Sequence, residues 1–180
     1  LSKVSLWLRT LAAEQPLAFL DHHLKTGNSL VGSDIEEIEE LETESRGDGQ
    51  NTSLADFGVA RKGTIEQLMR IYEDFIAIEN QELADVKEME SKYDEFERNK
   101  LRQRLEAMAN VHVAKRVGLS NVPSDAQKRM AALEDDQELK ALESSQWFQD
   151  SKKWSEEARY FHWKLEYPEV FYDQDGTPKD

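Results

Sequence analysis

The sequence predicts a mainly α-helical protein, built around a long αα-hairpin from about residue 64 to residue 117 and flanked by pieces of an α/β domain. Apolar residues recur at intervals of three and four through the hairpin region, which is the spacing of one helix face. Charged residues make up 33% of the chain and hydrophobic residues 38%, which suits long solvated helices better than a thick core. Short stretches typical of strands lie near both ends, so we interpret the helices as an insertion within an α/β domain.

The first elements are a helix and a strand. Residues 1–13 form an amphipathic helical pattern, which Pro16 ends because proline cannot continue the hydrogen-bond ladder. Residues 17–20 are short and apolar, as in a buried parallel strand. The loop after that strand contains Gly27, Asn28 and Ser29.

Two helices make up the predicted hairpin. The first begins near Thr64. Its apolar face consists of Ile65, Leu68, Met69, Tyr72, Phe75 and Ile76. The second runs from about Leu83 to Val117, roughly 50 Å at ~1.5 Å per residue. Its stripe contains one step of five, from Phe96 to Leu101, and this irregularity favours a hairpin over the competing interpretation, a parallel dimeric coiled coil.

The C-terminal part predicts three further elements. Residues 124–142 are expected to be helical, with Ser124 as the N-cap. A final helix is expected over residues 154–165. One face of it would carry Trp154, Ala158, Phe161 and Leu165. Residues 169–172 are expected to start an extended segment before a turn at residues 175–176.

Charge and composition exclude several classes of protein. Thirty-seven acidic residues against 23 basic ones give a net charge of −14, and an acidic surface repels phosphate, so this chain is a poor principal grip on nucleic acid. The absence of cysteine excludes disulfides and thiolate metal sites. Apolar runs are far too short for a membrane span and no signal pattern is present, so we expect a cytoplasmic protein without membrane contact. Because the chain begins in a helical pattern without an N-cap and stops in a polar segment, we also expect it to be internal to a longer polypeptide.

The triplet Asp21-His22-His23 is the first candidate for a metal or acid–base site. Adjacent histidines on a strand point to opposite faces, so His22 and His23 cannot easily bind one ion together. The triplet also resembles the motif of a family of metal-dependent phosphoesterases, but that family needs upstream aspartates, and only Glu14 is acidic there. We therefore interpret the triplet as a strand end that makes hydrogen bonds, and predict no metal site. The other histidines, expected within helices, are His112 and His162.

Motifs for nucleophilic catalysis and phosphate binding are absent. The sequence has no Gly-x-Ser-x-Gly elbow, and its eight glycines are scattered instead of forming a phosphate loop. A basic group is expected to be solvated or paired within its helix: Lys100, Arg102 and Arg104. An aromatic group is expected to pack in the interior: Trp147, Phe148, Trp154, Tyr160, Phe161 and Trp163.

Two stretches carry a resemblance to a known family. Residues 1–32 read LSKVSLWLRTLAAEQPLAFLDHHLKTGNSLVG, and residues 160–171 read YFHWKLEYPEVF. Both are similar to segments of large DNA adenine-N6 methyltransferases, the type IIG-like restriction–modification enzymes and related phage-defence methylases. In that family the first stretch contains the third core strand, and the second precedes the catalytic strand, which ends in Asn-Pro-Pro and an aromatic residue.

The resemblance implies a division of the chain into three parts. Residues 1–32 would be a partial α/β methyltransferase core of Rossmann-like type, residues 33–158 a helical insertion, and residues 159–180 a return towards the catalytic strand. It implies S-adenosylmethionine as the cofactor of the parent protein and double-stranded DNA as its partner. The loop beside the adenine ring of the cofactor would consist of Gly27, Asn28 and Ser29.

The chain lacks two essential elements of that family. The glycine-containing cofactor loop and the Asn-Pro-Pro-aromatic motif are not in the sequence, which has no Pro-Pro pair. We therefore expect no catalytic residue in this chain, and neither cofactor binding nor methylation by it in isolation. The alternative is a stand-alone helical or coiled-coil interaction module with no enzymatic activity.

Overall fold

The computed structural model describes residues 4–6, 9, 23–34, 62–63, 65–74, 77–78, 83–131 and 136–179. Residues 4–6 and 9 are helical, as predicted for the first element. The predicted strand at 17–20 lies outside the described residues, and so do Phe75 and Ile76 of the first hairpin helix.

The first two helices of the described part pack against each other. Helix α1 comprises residues 65–74, and α2 runs from Leu83 to Glu97. The predicted face of α1 is confirmed over four residues, which are all buried: Ile65, Leu68, Met69 and Tyr72. Leu68 and Tyr72 form a core cluster with Met89 and Phe96 of α2, and the Tyr72 and Phe96 rings meet edge to face at 5.8 Å. Met89 and Phe96 of the apolar stripe of α2 are therefore covered within one chain.

The prediction of a single helix to Val117 is wrong. Helix α2 ends at Glu97, and a new helix, α3, runs from Lys100 to Arg116. Asn99 between them is extended (φ −61°, ψ 125°), and its Oδ1 accepts hydrogen bonds from the backbone N–H groups of Leu101 at 2.9 Å and Arg102 at 3.3 Å. Asn99 is thus the N-cap of α3, and it explains the step of five in the apolar stripe.

Helix α3 is the centre of the fold and not the outer arm of a hairpin. Eight of its residues are buried: Arg102, Leu105, Met108, Ala109, Val111, His112, Val113 and Ala114. One side packs against α4 (Ala126–Ala131) and α6 (Gln146–Ala158), with Met108, Met130 and Trp147 in a common cluster. The other side places Leu105 in a cluster with Ile65 of α1. Because a helix that is covered on several sides has no single apolar stripe, its regular spacing alone could not identify its partners.

The C-terminal helices also differ from the prediction. The expected helix over 124–142 corresponds to α4 and α5 (Asp136–Glu143), with residues 132–135 outside the described part. The expected helix over 154–165 is wrong, because α6 ends at Arg159, whose backbone is left-handed (φ 52°, ψ 57°). Trp154, Ala158, Phe161 and Leu165 therefore do not share one helix face.

Two short helical turns follow, α7 (Trp163–Glu166) and α8 (Pro168–Phe171). The expected extended segment is wrong for residues 169–171, because Pro168 occupies the first position of α8, where proline favours a helical start. Tyr172 is extended, as expected (φ −128°, ψ 148°). The turn at 175–176 is confirmed. Gly176 has φ 74°, and Tyr172 forms an antiparallel bridge with Pro178 across the turn.

The mainly α-helical fold is confirmed. Within the described ranges the only β-type pairings are isolated bridges, a parallel one between Asn28 and Tyr160 and the antiparallel one at the C-terminus. The described helices include none with the length and apolar character that a bilayer crossing requires.

Candidate functional site

The segment of residues 23–34, which contains the predicted cofactor loop, lies against the stretch that follows α6. The backbone N–H of Asn28 donates to the carbonyl of Arg159 at 2.7 Å, and Asn28 forms a parallel bridge with Tyr160. The N–H of Phe161 donates to the carbonyl of Val31 at 2.8 Å. Two stretches that are far apart in sequence thus pair through their backbones.

Two glycines allow this close approach. A Cβ on Gly32 would lie 2.0 Å from the backbone oxygen of Phe161, and a Cβ on Gly27 would lie 2.4 Å from Cδ2 of the Phe161 ring. The contact at Gly27 is with a side chain, whereas the contact at Gly32 is with a backbone oxygen, which can move only with its chain. Glycine is therefore needed at position 32 above all.

The three predicted loop residues are exposed at the surface of this segment. The Oδ1 atom of Asn28 accepts from the backbone N–H of Leu30 at 3.3 Å, and the carbonyl of Asn28 accepts from Val31 at 2.9 Å, so Asn28 supports a turn. The carbonyl of Ser29 accepts a hydrogen bond from Nε1 of Trp163 at 3.1 Å. The structure therefore brings Gly27, Asn28 and Ser29 together, while their contact with a cofactor remains a prediction.

A buried ion network lies beneath the loop segment, and sequence reasoning did not find it. The Nζ atom of Lys25 lies 2.9 Å from Glu166 of α7 and 3.2 Å from Glu97 of α2, and the Lys25 side chain is only 9% exposed. It also lies over the aromatic rings of Tyr93 and Tyr167, at 5.4 Å and 5.7 Å from their centroids. Lys25 thus connects the loop segment to two separate helices.

Arg102 of α3 completes this network. Its guanidinium pairs with Glu166 at 3.1 Å, with Glu106 at 3.3 Å and with Glu97 at 3.4 Å, and the side chain is 3% exposed. Three carboxylates therefore surround the two cations. The expected pairing within the helix is confirmed for Arg102 by Glu106. The expectation of a solvated face is wrong for this residue, because α3 turns this position inwards, three residues before buried Leu105.

The other two members of the basic group behave differently. Arg104 donates to the carbonyl of Met130 from Nη2 at 2.7 Å and from Nε at 3.1 Å, so it joins α3 to α4. Lys100 is exposed, as expected for a solvated helix face.

Proton affinities in the network follow from burial and pairing. Burial alone would lower the pKa of Lys25, but the nearby Glu166 and Glu97 carboxylates outweigh it and raise that pKa. Burial would raise the pKa of Glu97, but Arg102 and Lys25 outweigh it, so the pKa of Glu97 is lowered. Burial raises the pKa of Glu106, although Arg102 opposes the change. Lys25 and Glu97 therefore remain charged at neutral pH.

His162 forms a second link between the loop segment and the helices. It lies at the N-cap position of α7 and not within a helix as expected, because α6 has already ended at Arg159. Its Nδ1 accepts from the backbone N–H of Ser33 at 3.2 Å, and its Nε2 contacts Oδ1 of Asn110 at 2.9 Å. With Nδ1 as an acceptor, we assign the proton to Nε2, which donates to Asn110. Burial lowers the pKa of His162 to about 4, so the ring is neutral.

The remaining histidines and the Asp21 triplet offer no metal site in the described residues. Asp21 and His22 lie outside the described part, and His23 is exposed, with its carbonyl accepting from the Tyr167 hydroxyl at 3.1 Å. His112 is buried in α3, within a helix as predicted. Among the described residues, no three His, Asp or Glu side chains are grouped so that they could hold a metal ion.

The aromatic group is largely interior. Trp147 and Phe148 are buried and meet edge to face at 5.8 Å, and Phe161 is buried beside Trp163, with ring centroids 4.9 Å apart. Trp163 itself is 44% exposed. Packing is therefore confirmed for Trp147, Phe148 and Phe161.

An open cleft of about 280 Å³ lies between α3 and α6. Its lining consists of Gln103, Glu106, Ala107, Asn110, Val111, Glu143, Phe148, Ser151 and Lys152. The Ser151 hydroxyl already donates to the carbonyl of Trp147 at 2.7 Å, and Asn110 is held by His162. The cleft is therefore lined by both acidic and basic side chains, and none of its lining residues is an activated nucleophile.

Comparisons with known proteins found no match for this chain: no protein-family model matches it, and neither does any curated protein or solved structure.

Proposed function

We propose that this chain is an internal part of an S-adenosylmethionine-dependent DNA adenine-N6 methyltransferase, an enzyme of a restriction–modification or phage-defence system that acts on double-stranded DNA. The observation that carries the proposal is the contact between the two stretches that resemble this family. Residues 23–32 belong to the first stretch, and Phe161 and His162 belong to the second. They meet through backbone hydrogen bonds, and Ser33, which directly follows the first stretch, donates to His162 across 129 positions of sequence.

This contact supports an inserted helical block. A block inserted into a domain must leave and re-enter at nearby points, or it would disrupt the fold around it. Ser33 is the first residue of the predicted insertion, residues 33–158, and it is hydrogen-bonded to His162, four residues after the last one. Helices α1 to α6 lie between these two residues. The arrangement is the one expected if the α/β core resumes where it was interrupted.

The cofactor-side residues of this chain would be Gly27, Asn28 and Ser29. All three are exposed, so they are accessible to a ligand from outside the segment. The Oδ1 of Asn28 already accepts from Leu30, but a carbonyl oxygen has a second lone pair, which could accept from the adenine amino group of S-adenosylmethionine. When bound, the cofactor would supply the methyl group. This chain would contribute only to holding its adenine ring, since it contains no Asn-Pro-Pro-aromatic motif.

A binding experiment tests the proposal on the intact protein, by which we mean the longer polypeptide of which this chain would be a part. Calorimetric titration of the intact protein with S-adenosylmethionine should show binding, and Asn28→Ala should weaken it by up to about tenfold, since one hydrogen bond contributes about 0.5–1.5 kcal/mol. Asn121→Ala is the matched control, because Asn121 is an exposed asparagine that pairs with Asp150 in another part of the molecule. An intact protein that does not bind S-adenosylmethionine would sink the proposal.

A further inference from the structure

The predicted cofactor loop is held by α2 of the helical block and by the stretch that follows α6. Before the loop, Lys25 enters the buried network of Glu97 and Glu166. Within it, the carbonyl of Ser29 accepts from Nε1 of Trp163 at 3.1 Å. After it, the N–H of Ser33 donates to His162. The loop conformation therefore depends on residues outside the α/β core.

Lys25 provides ionic contacts between the loop segment and the helices. It stands two residues before Gly27, and its ammonium group contacts carboxylates from α2 and α7 while lying over aromatic rings from both regions. Its loss would leave Glu97 and Glu166 with Arg102 as their remaining cation in the network. Two carboxylates sharing one guanidinium would repel each other, and the segment would lose its link to α2.

We infer that Lys25 is a positioning residue, which holds Gly27, Asn28 and Ser29 where the adenine ring of S-adenosylmethionine meets them, so that α2 of the helical block supports the cofactor loop through Glu97. This inference rests on the proposed function. It assigns to the helical block a role in cofactor affinity, separate from any contact with DNA. Lys25 itself touches neither cofactor nor substrate.

Three variants of the intact protein test the inference. Lys25→Met removes the charge and keeps the length of the side chain. Trp163→Phe removes the hydrogen bond to Ser29 together with part of the ring that contacts Phe161, and it serves if Lys25→Met does not fold. Lys92→Met is the matched control, because Lys92 pairs with Glu95 on the exposed surface of the same helix that holds Glu97.

The measurements are the Kd for S-adenosylmethionine, the Kd for a DNA duplex, kcat at saturating cofactor, and hydrogen exchange of the amides of residues 26–33. Lys25→Met should raise the cofactor Kd about tenfold and speed exchange in that segment, with the DNA Kd and kcat unchanged. Trp163→Phe should raise the cofactor Kd by a smaller factor, about two- to fivefold. Lys92→Met should match the wild type in all four.

Each other result overturns the inference in a recognisable way. If exchange accelerates while the cofactor Kd stays within twofold, the segment does not present the loop to the cofactor. If both Kd values and kcat change together in Lys25→Met and Trp163→Phe, these residues have only a general structural role. A wild-type protein that does not bind S-adenosylmethionine overturns the proposed function, and with it this inference, whereas normal binding by wild type and both variants overturns the inference alone.

Discussion

The backbone N–H of Ser33 donates a hydrogen bond to Nδ1 of His162, 3.2 Å away, and this bond joins the start of the helical block to the stretch that follows it. The acceptor nitrogen must carry no proton, and the opposite nitrogen of the ring is engaged by Asn110. The bond therefore exists only while His162 is neutral, which makes the closure of the block sensitive to pH.

Stability should fall on acidification because of His162. Its pKa is about 4 in the folded state, lowered by burial from the usual 6.5. The unfolded chain therefore binds more protons between these values, and stability is complete above about pH 6.5 and is lost as the pH falls towards 4. A shift of this size corresponds to a loss on the order of 3 kcal/mol.

Urea unfolding of wild type and His162→Gln across pH 4 to 7 measures this loss of stability. The variant should show a smaller dependence by about that amount. Equal dependence in wild type and His162→Gln would refute the prediction.

Arg102 should be indispensable for stability. Arg102→Met removes a cation that is 3% exposed and pairs with Glu97, Glu106 and Glu166. Removal of one partner from a fully buried pair typically costs about 3–5 kcal/mol, but the three carboxylates are 21–40% exposed and partly solvated, so we expect a smaller loss of about 1–3 kcal/mol. Lys100→Met, two residues earlier on an exposed position, should change the free energy of unfolding by less than about 0.5 kcal/mol. Chemical denaturation of both proteins measures the difference, and a loss below about 1 kcal/mol for Arg102→Met would contradict the network described.

Gly32 should not tolerate a methyl group. Its Cβ would lie 2.0 Å from the backbone oxygen of Phe161, so Gly32→Ala must push the two backbones apart. Overpacking of this kind costs about 1–3 kcal/mol. Gly63→Ala is the control, since a Cβ there meets nothing within 4 Å and alanine favours a helical position. Thermal unfolding should show a lower Tm for Gly32→Ala and an equal or higher Tm for Gly63→Ala. An equal Tm for Gly32→Ala and wild type would mean that Gly32 does not pack against the backbone of Phe161.

The break between α2 and α3 should depend on Asn99. Asn99→Ala removes the acceptor for the N–H groups of Leu101 and Arg102, and loss of such a cap costs about 1 kcal/mol. Asn99→Asp keeps an acceptor at this position and should lose much less. Denaturation midpoints compare the two variants. If Asn99→Ala is as stable as Asn99→Asp, a continuous helix through this position becomes the better description.

Local sequence patterns were sufficient to predict which face of an individual helix is buried. Ile65, Leu68 and Tyr72 were predicted to be buried because a helix repeats every 3.6 residues whatever it packs against. The step of five between Phe96 and Leu101 was visible in the sequence, but its meaning depended on whether Asn99 would cap a helix or sit inside one. The end of α6 gave no such signal, since Arg159 adopts a left-handed backbone that is typical of glycine.

Long-range relationships were not accessible from the pattern. The pairing of Lys25 with Glu97 and Glu166 joins residues whose sequence neighbourhoods are unremarkable, and it arises only when the loop segment packs on the helices. Arg102 could have been suspected, because it lies three residues before Leu105 on a helix with many buried positions. For the candidate site itself, the sequence named Gly27, Asn28 and Ser29 from a resemblance, and the structure adds the residues that hold them in place.

The most direct test of the central claim is methyl transfer by the intact protein. Double-stranded DNA is incubated with the protein and S-adenosylmethionine, digested to nucleosides, and analysed by mass spectrometry for N6-methyladenine. The account predicts N6-methyladenine that depends on the cofactor and appears within a defined DNA sequence. Complete absence of methylated adenine, with a folded protein and DNA that contains all short sequence contexts, would contradict it.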